Sequence, residues 1–237
     1  MAKLSSMYTY LLFDCDNTLL DFDQGELLAF QALCQDFGID AGSYPLYHTL
    51  NQQCWKELEQ GKLDQQELRA ERFRRFLPLV GCAVSPQAAS DRFLQELSRQ
   101  GIPYPQTKPL LTELRKRGYV LYLASNGIAF VQRGRYQACD LLSYLDGAFV
   151  SEDLGFQKPD RRFFDEMLRR IGGPDRKSCL MIGDSLSSDI AGGNAAGIDT
   201  VWLNQEGETI PKVQRPTYVI KNLTEVLALL PPRSQSQ

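Results

Sequence analysis

Residues 8–20 read YTYLLFDCDNTLL, an apolar and aromatic run that stops at two aspartates one residue apart, followed by Asn17 and Thr18. A continuous run of this kind, closed by turn-forming residues, reads as a strand buried on both faces, as in parallel sheets. Open α/β sheets carry their sites beyond the carboxyl ends of the strands, so this strand delivers Asp14 and Asp16 to where chemistry is done. Carboxylates brought together raise one another's pKa unless a cation joins them. The rest of the chain has to supply that cation or do without ionised acids.

The 237 residues suffice for one large domain or for a core with a smaller insertion. Residues 19–23 read as a turn leading out of the sheet, and the β pattern then disappears until about residue 100. Phe30, Leu33, Cys34 and Phe37 recur at i, i+3, i+4 and i+7, which predicts an amphipathic helix stopped by Gly38. Further helices are predicted over 46–60, with Gly61 as stop, and over 65–77, behind an Asp64 N-cap and ahead of Pro78. A fourth begins after Ser85-Pro86 and runs to about 100. Ile102-Pro103-Tyr104-Pro105 is a stiff return linker. After a helix over 109–117, strands over 119–125, 147–151, 179–182 and 200–203 alternate with helices over 128–139 and 161–171. Residues 219–220 add a short last strand and 224–230 a closing helix. The expected fold is therefore α/β, a doubly wound parallel, Rossmann-like core (1–21 and 103–230) with an inserted all-helical domain (22–102) and a frayed polar tail (231–237).

Composition narrows the chemistry. A formal net charge of −3 gives no reason to expect a nucleic acid polymer or an anionic membrane as partner. No apolar run is long enough to span a bilayer, and residues 1–6 are unlike a secretory leader, so a cytoplasmic location is expected. Six cysteines lie without a C-x-x-C pair, and His48 is the one histidine. Buried free thiols are expected rather than disulfides or a zinc site, and Ser-His or Cys-His catalysis is disfavoured. A metal held here has oxygen ligands, which points to Mg²⁺.

Each later strand ends in a polar group: Ser125-Asn126-Gly127 after the second, and Gly183-Asp184-Ser185, with Asp189 near the next helix start, after the fourth. Between them stands Lys158, in G-F-Q-K-P-D at a Pro-fixed helix start. In a parallel sheet these ends share one edge, so Asp14, Asp16, Ser125, Lys158, Asp184 and Asp189 should converge, with Lys158 and a divalent ion balancing the acids. Each residue also has a plainer reading: Ser125 as a turn cap, Lys158 as a surface lysine, Asp189 as an acid favoured in a first helical turn. Residues 192–197 lack the Lys-Ser/Thr of a P-loop and read as close helix packing with Gly197 as C-cap. The basic run 69–75 reads as a solvated helix face, Trp55 and Tyr47 as core or base-stacking aromatics, and His48 as structural.

The constellation resembles the haloacid dehalogenase superfamily of phosphohydrolases. D-x-D-x-T is matched by Asp14, Asp16 and Thr18, the hydroxyl after the second strand by Ser125, the lysine by Lys158, and G-D-x-x-x-x-D by Asp184 and Asp189. The helical insertion resembles the family's C1-type cap. The resemblance implies that Asp14 is the nucleophile and Asp16 the general acid and base. It assigns Thr18, Ser125, Asn126 and Lys158 to the phosphate. Mg²⁺ would be held by Asp14, the main chain of Asp16 and Asp184, with Asp189 behind them.

Hydrolytic dehalogenases typically lack the second aspartate, so Asp16 favours phosphoryl transfer. Within the superfamily, L-L-D-F-D after the first signature, the Trp55…Gly61…Arg72 pattern, S-N-G at 125–127 and V-S-E-D-L-G-F-Q-K-P resemble the noncanonical pyrimidine 5'-nucleotidases. That resemblance implies a small phosphorylated substrate, a nucleoside monophosphate of the UMP, dUMP or dTMP type, with Trp55 and Arg72 as substrate residues of the insertion. Cys15, between the two aspartates, departs from the pattern. Sugar-phosphate or N-acylneuraminate-9-phosphate phosphatase, a mutase of the β-phosphoglucomutase kind, a dehalogenase and a non-catalytic scaffold are the alternatives.

Overall fold

The computed structural model describes residues 7–210, 212–213 and 215–233. Its strands are β1 (Tyr10–Phe13), β2 (Val120–Ser125), β3 (Gly147–Val150), β4 (Cys179–Gly183), β5 (Asp199–Leu203) and β6 (Tyr218–Ile220). They form a single sheet in the order β3-β2-β1-β4-β5-β6, and every pairing is parallel. The winding runs from β1 to β2 and β3 on one side and from β4 to β6 on the other. Its direction reverses between β1 and β4, where a doubly wound sheet opens a crevice at the carboxyl ends. The register sets Phe13 level with Ile182, and the Asp14 N–H donates to the Ile182 carbonyl at 2.8 Å, carrying the ladder to the edge of that crevice.

The helices are α1 (Phe22–Phe37), α2 (Tyr44–Glu59), α3 (Gln65–Phe76), α4 (Pro86–Leu97), α5 (Thr107–Lys116), α6 (Ala129–Ala138), α7 (Ser151–Leu154), α8 (Arg161–Arg170), α9 (Ala191–Ala196) and α10 (Val226–Leu229). Leu11, Leu12 and Phe13 of β1 are wholly buried, as a central parallel strand requires. On one face Leu12, Ala124 and Met181 pack with Phe163, Phe164, Met167 and Leu168 of α8. This packing fixes the chain on either side of Lys158 relative to the strand that carries Asp14.

Two compact units are formed: Met1–Asp21 with Pro103–Ala129 and Cys139–Gln237, and Phe22–Ile102 with Phe130–Ala138. In the second, α1 packs on α4, α2 on α3 and α3 on α4. Its centre is a ring cluster in which Tyr47 meets Phe30, Phe73 and Phe93 at centroid distances of 4.9, 5.3 and 5.3 Å. Tyr47 is therefore a core residue. The Asp64 cap is a full capping box: its carboxylate accepts from the Glu67 N–H at 2.7 Å, and the Glu67 carboxylate accepts from the Asp64 N–H at 2.9 Å.

Several expectations are corrected. Phe22 and Asp23, read as the end of a turn, open the first helix, whose buried face there is carried by Gly25 and Glu26 and so lacks an apolar pattern. Residues 130–138, read as part of the α/β alternation, belong with the helical unit. There Gly134 lies so close to Ser98 that a Cβ would stand 2.5 Å from its carbonyl oxygen. Ser151 opens the short α7 instead of ending β3, and Leu186–Ile190 is a π-turn. Lys158 is not at a helix start: Lys158-Pro159 is a cis peptide, and α8 begins at Arg161 behind an Asp160 N-cap. The expected fraying does not begin at Pro231, whose carbonyl accepts from the Tyr119 hydroxyl at 2.8 Å, while the Arg233 N–H donates to Arg117 at 3.0 Å. Residues 234–237 of that tail, and residues 1–6, on which the reading of the leader rests, lie outside the described residues. All six cysteines are free, and five are buried. Among the described residues no helix is long and apolar enough to cross a membrane.

Candidate active site

Beyond β1 the chain turns back on itself. Asn17 adopts the left-handed conformation at φ 56°, which Asn tolerates better than most residues, and the N–H groups of Leu19 and Leu20 both return to the Cys15 carbonyl. This turn places Thr18 beside the end of β4, where its hydroxyl donates to Asp184 Oδ1 at 3.1 Å. Thr18, assigned to the phosphate by resemblance, thus serves the carboxylate of the last motif.

Lys158 is 1% exposed, and its ammonium donates to Asp14 Oδ1 at 2.6 Å, Asp189 Oδ1 at 2.6 Å and the Ala124 carbonyl at 2.5 Å. Three N–H donors meet three acceptors, so the ammonium is fully satisfied inside the protein. The surface-lysine reading is excluded. Asp189, wholly buried, takes the Ser185 N–H on its other oxygen at 3.1 Å, which closes the loop after β4. Gly183 has to be glycine for this: a Cβ there would fall on the Asp189 carboxylate. Asp14, Asp184 and Asp189 present oxygens within 4.8 Å of one another.

The electrostatics follow from that crowding. Burial first, and then the neighbouring Asp189, Asp184 and Asp16, push the Asp14 carboxyl well above the ordinary range, while Lys158 pulls it down. Burial and Asp189 raise Asp184 to about 7 against a hydrogen bond from Thr18. For Lys158 burial disfavours the charge, but Asp14 and Asp189 outweigh it and hold the amine protonated. One buried ammonium does not balance this many acids, and the oxygen-only donor set fits a hard divalent cation such as Mg²⁺.

Ser125 is wholly buried, and its hydroxyl lies 3.3 Å from the Asn126 carbonyl. Asn126 does something its motif does not suggest. Its Oδ1 accepts the Lys158 N–H and its Nδ2 donates to the Lys158 carbonyl, both at 2.8 Å, so one carboxamide clamps the lysine's backbone from both sides. Asp16 is half-buried at the same turn and bridges to Leu20.

These four motifs, joined at one sheet edge, agree with the match of residues 8–197 to the model of the haloacid dehalogenase-like hydrolases. The chain belongs to that family. Among its relatives, the pyrimidine 5'-nucleotidase PynA of Streptococcus pneumoniae is 39% identical over 225 residues, covering 94% of this chain and 95% of that one. The pyrimidine 5'-nucleotidase YjjG of Escherichia coli is 29% identical over 225 residues, covering 94% and 98%. The crystal structure of the HAD-hydrolase YfnB of Bacillus subtilis, bound to magnesium, superposes with a TM-score of 0.88 at 33% identity, covering 94% and 99%. The protein is thus an enzyme of the haloacid dehalogenase-like hydrolase family.

Two further residues anticipated for this hydrolase, Trp55 and Arg72, lie in the helical unit. Trp55 packs on Cys54, Leu58 and Leu68. Arg72 is 2% exposed, so the run 69–75 is not a uniformly solvated face. Its guanidinium stands 5.0 Å from the Phe93 centroid and donates to Asn51 Oδ1 at 3.0 Å. Asn51 in turn donates to Glu26 at 2.5 Å, and the wholly buried Glu26 also meets His48 Nδ1 at 2.5 Å and the Tyr44 hydroxyl at 2.9 Å. This chain of buried polar groups gives His48 a structural partner. Sequence reasoning missed it because Glu26, Asn51 and Arg72 are far apart in a stretch rich in polar residues.

Proposed function

We propose that this hydrolase is a Mg²⁺-dependent phosphomonoesterase that works through a phosphoaspartate and acts on pyrimidine nucleoside 5'-monophosphates. The observation that carries the phosphatase reading is the buried Lys158 ammonium bonded to Asp14 within reach of Asp184 and Asp189. Asp14, the Asp16 carbonyl and Asp184 would hold the cation, with Asp189 behind them; when bound, it neutralises the acids and the phosphoryl oxygens. Asp14 attacks phosphorus, forming its P–O bond as the ester P–O bond breaks, and the Asp16 carboxyl protonates the departing alkoxide. The carboxylate of Asp16 then takes a proton from water as that water attacks phosphorus, the aspartyl P–O bond breaks, and phosphate and free Asp14 result. Ser125 and main-chain N–H groups of the same turn bind the phosphoryl oxygens, and Lys158, its donors engaged, contributes charge and holds Asp14 in line.

The nucleotide reading rests on the names of the two nucleotidase relatives together with the motif pattern, and Trp55 and Arg72 stay as its candidate residues in the helical unit. Asp14→Asn is expected to abolish phosphate release from an aryl phosphate, and full activity in that variant would sink the mechanism. On a panel with and without Mg²⁺, UMP, dUMP or dTMP should give the highest kcat/KM. A higher value for a sugar phosphate or for N-acylneuraminate 9-phosphate would replace the substrate class while leaving the chemistry.

A further inference from the structure

Asp184 is tethered at both ends. Its carboxylate accepts from the Thr18 hydroxyl, and its main-chain carbonyl accepts the indole N–H of Trp202 at 2.9 Å. Trp202 is 2% exposed, lies in β5, and stands level with Gly183 in the β4–β5 register. An indole has one donor and no acceptor, so at this depth the ring is oriented by whichever oxygen receives that hydrogen. Here the oxygen belongs to the residue whose carboxylate faces Asp14 and Asp189. The remainder of the loop closes on itself through the Ser185 N–H on Asp189 and the Ser188 N–H on Ser185 Oγ. Trp202 links that loop to the neighbouring strand.

We infer that Trp202 is a positioning residue for a divalent cation at the Asp14–Asp184–Asp189 cluster. It acts by pinning the Asp184 peptide, so that the carboxylate rises from the sheet at a fixed height and angle. Removing the donor leaves the half-buried Asp184 carbonyl without that partner and lets the Asp184 peptide rotate. The loss falls on cation affinity, as it does when groups behind metal ligands are removed.

This inference rests on the magnesium reading above, and calorimetric titration of chelator-stripped enzyme with Mg²⁺ separates the two. The proteins are wild type, Trp202→Phe, and a Trp55→Phe protein carrying 3-benzothienylalanine at 202, with Trp55→Phe alone as its control. The sulfur analogue keeps the shape of the indole and lacks only its N–H, so it remains informative if Trp202→Phe folds poorly. Relative to their controls, both position-202 proteins are expected to show a Mg²⁺ dissociation constant raised roughly tenfold, the lower range for such outer groups. A dissociation constant within about twofold of the control, with only a lowered thermal midpoint, would mark Trp202 as plain packing and overturn the inference. Wild type that binds no Mg²⁺ and works fully in chelator would remove the magnesium reading and the inference together.

Discussion

Lys158 shows what a single residue does here. Its ammonium, 1% exposed, is the common partner of Asp14 and Asp189, and a buried charge pair broken on one side costs roughly 3–5 kcal/mol. Lys158→Met is therefore expected to destabilise the metal-free protein by about that amount at pH 7.5 and by clearly less at pH 5, where Asp14, raised by burial and no longer held down by Lys158, takes up a proton. Urea titrations at the two pH values test this, and an equal loss at both would mean that the pair contributes packing rather than charge. The convergence of Lys158 with Asp14, Asp184 and Asp189 was legible in the sequence, because Asp14 and Asp184 end strands, Lys158 and Asp189 lie in the connections that follow strands, and parallel strand ends share an edge. The partners of Thr18 and Asn126 were not. Each side chain can both donate and accept, and whether it meets a phosphate, a carboxylate or a peptide depends on turn geometry that a motif does not encode.

At the scale of elements, periodicity located most helices and strands and failed where packing overrode pattern. Gly38 and Gly61, both at positive φ, end elements where the sequence placed the stops, since a glycine at a helix end has little else to do. Gly25 and Gly134 sit inside helices, where a glycine reads as weakness, and there the helix gives up propensity for close approach. The consequence is a reversal of sign. Gly→Ala in a helix interior ordinarily stabilises by about 1 kcal/mol. At Gly134 the new Cβ would stand 2.5 Å from the Ser98 carbonyl oxygen, so Gly134→Ala should instead destabilise, by about 1–3 kcal/mol as overpacking does. A midpoint at or above that of wild type in denaturant melts would show that residues 98–101 yield freely. That same closeness is why residues 130–138 group with the helical unit, an assignment no periodicity could have supplied.

For the whole molecule, the acid cluster couples stability to pH and to metal. The folded protein holds Asp184 at about 7 and Asp14 well above the ordinary range, first through burial and then through neighbouring carboxylates. In the unfolded chain both return to about 3.9. A raised folded pKa means that the folded state keeps its proton longer, so the stability associated with these groups is full below about pH 4 and is lost as pH rises through the folded values. Lys158 is also raised, but its contribution is full below its unfolded value of about 10.4 and flat across this window. The metal-free enzyme should therefore melt at a progressively lower temperature from pH 5 to pH 8. A cation bound to the ionised cluster acts in the opposite sense: its stabilisation, about 2.7 kcal/mol at a hundredfold excess over Kd, should grow with pH because fewer protons have to leave. Asp184→Asn should flatten both slopes. Scanning calorimetry in chelator and in Mg²⁺ at several pH values checks each slope, and a metal-free midpoint that climbs over this range would mean that carboxylates elsewhere, paired on the surface, govern the pH response instead of the site.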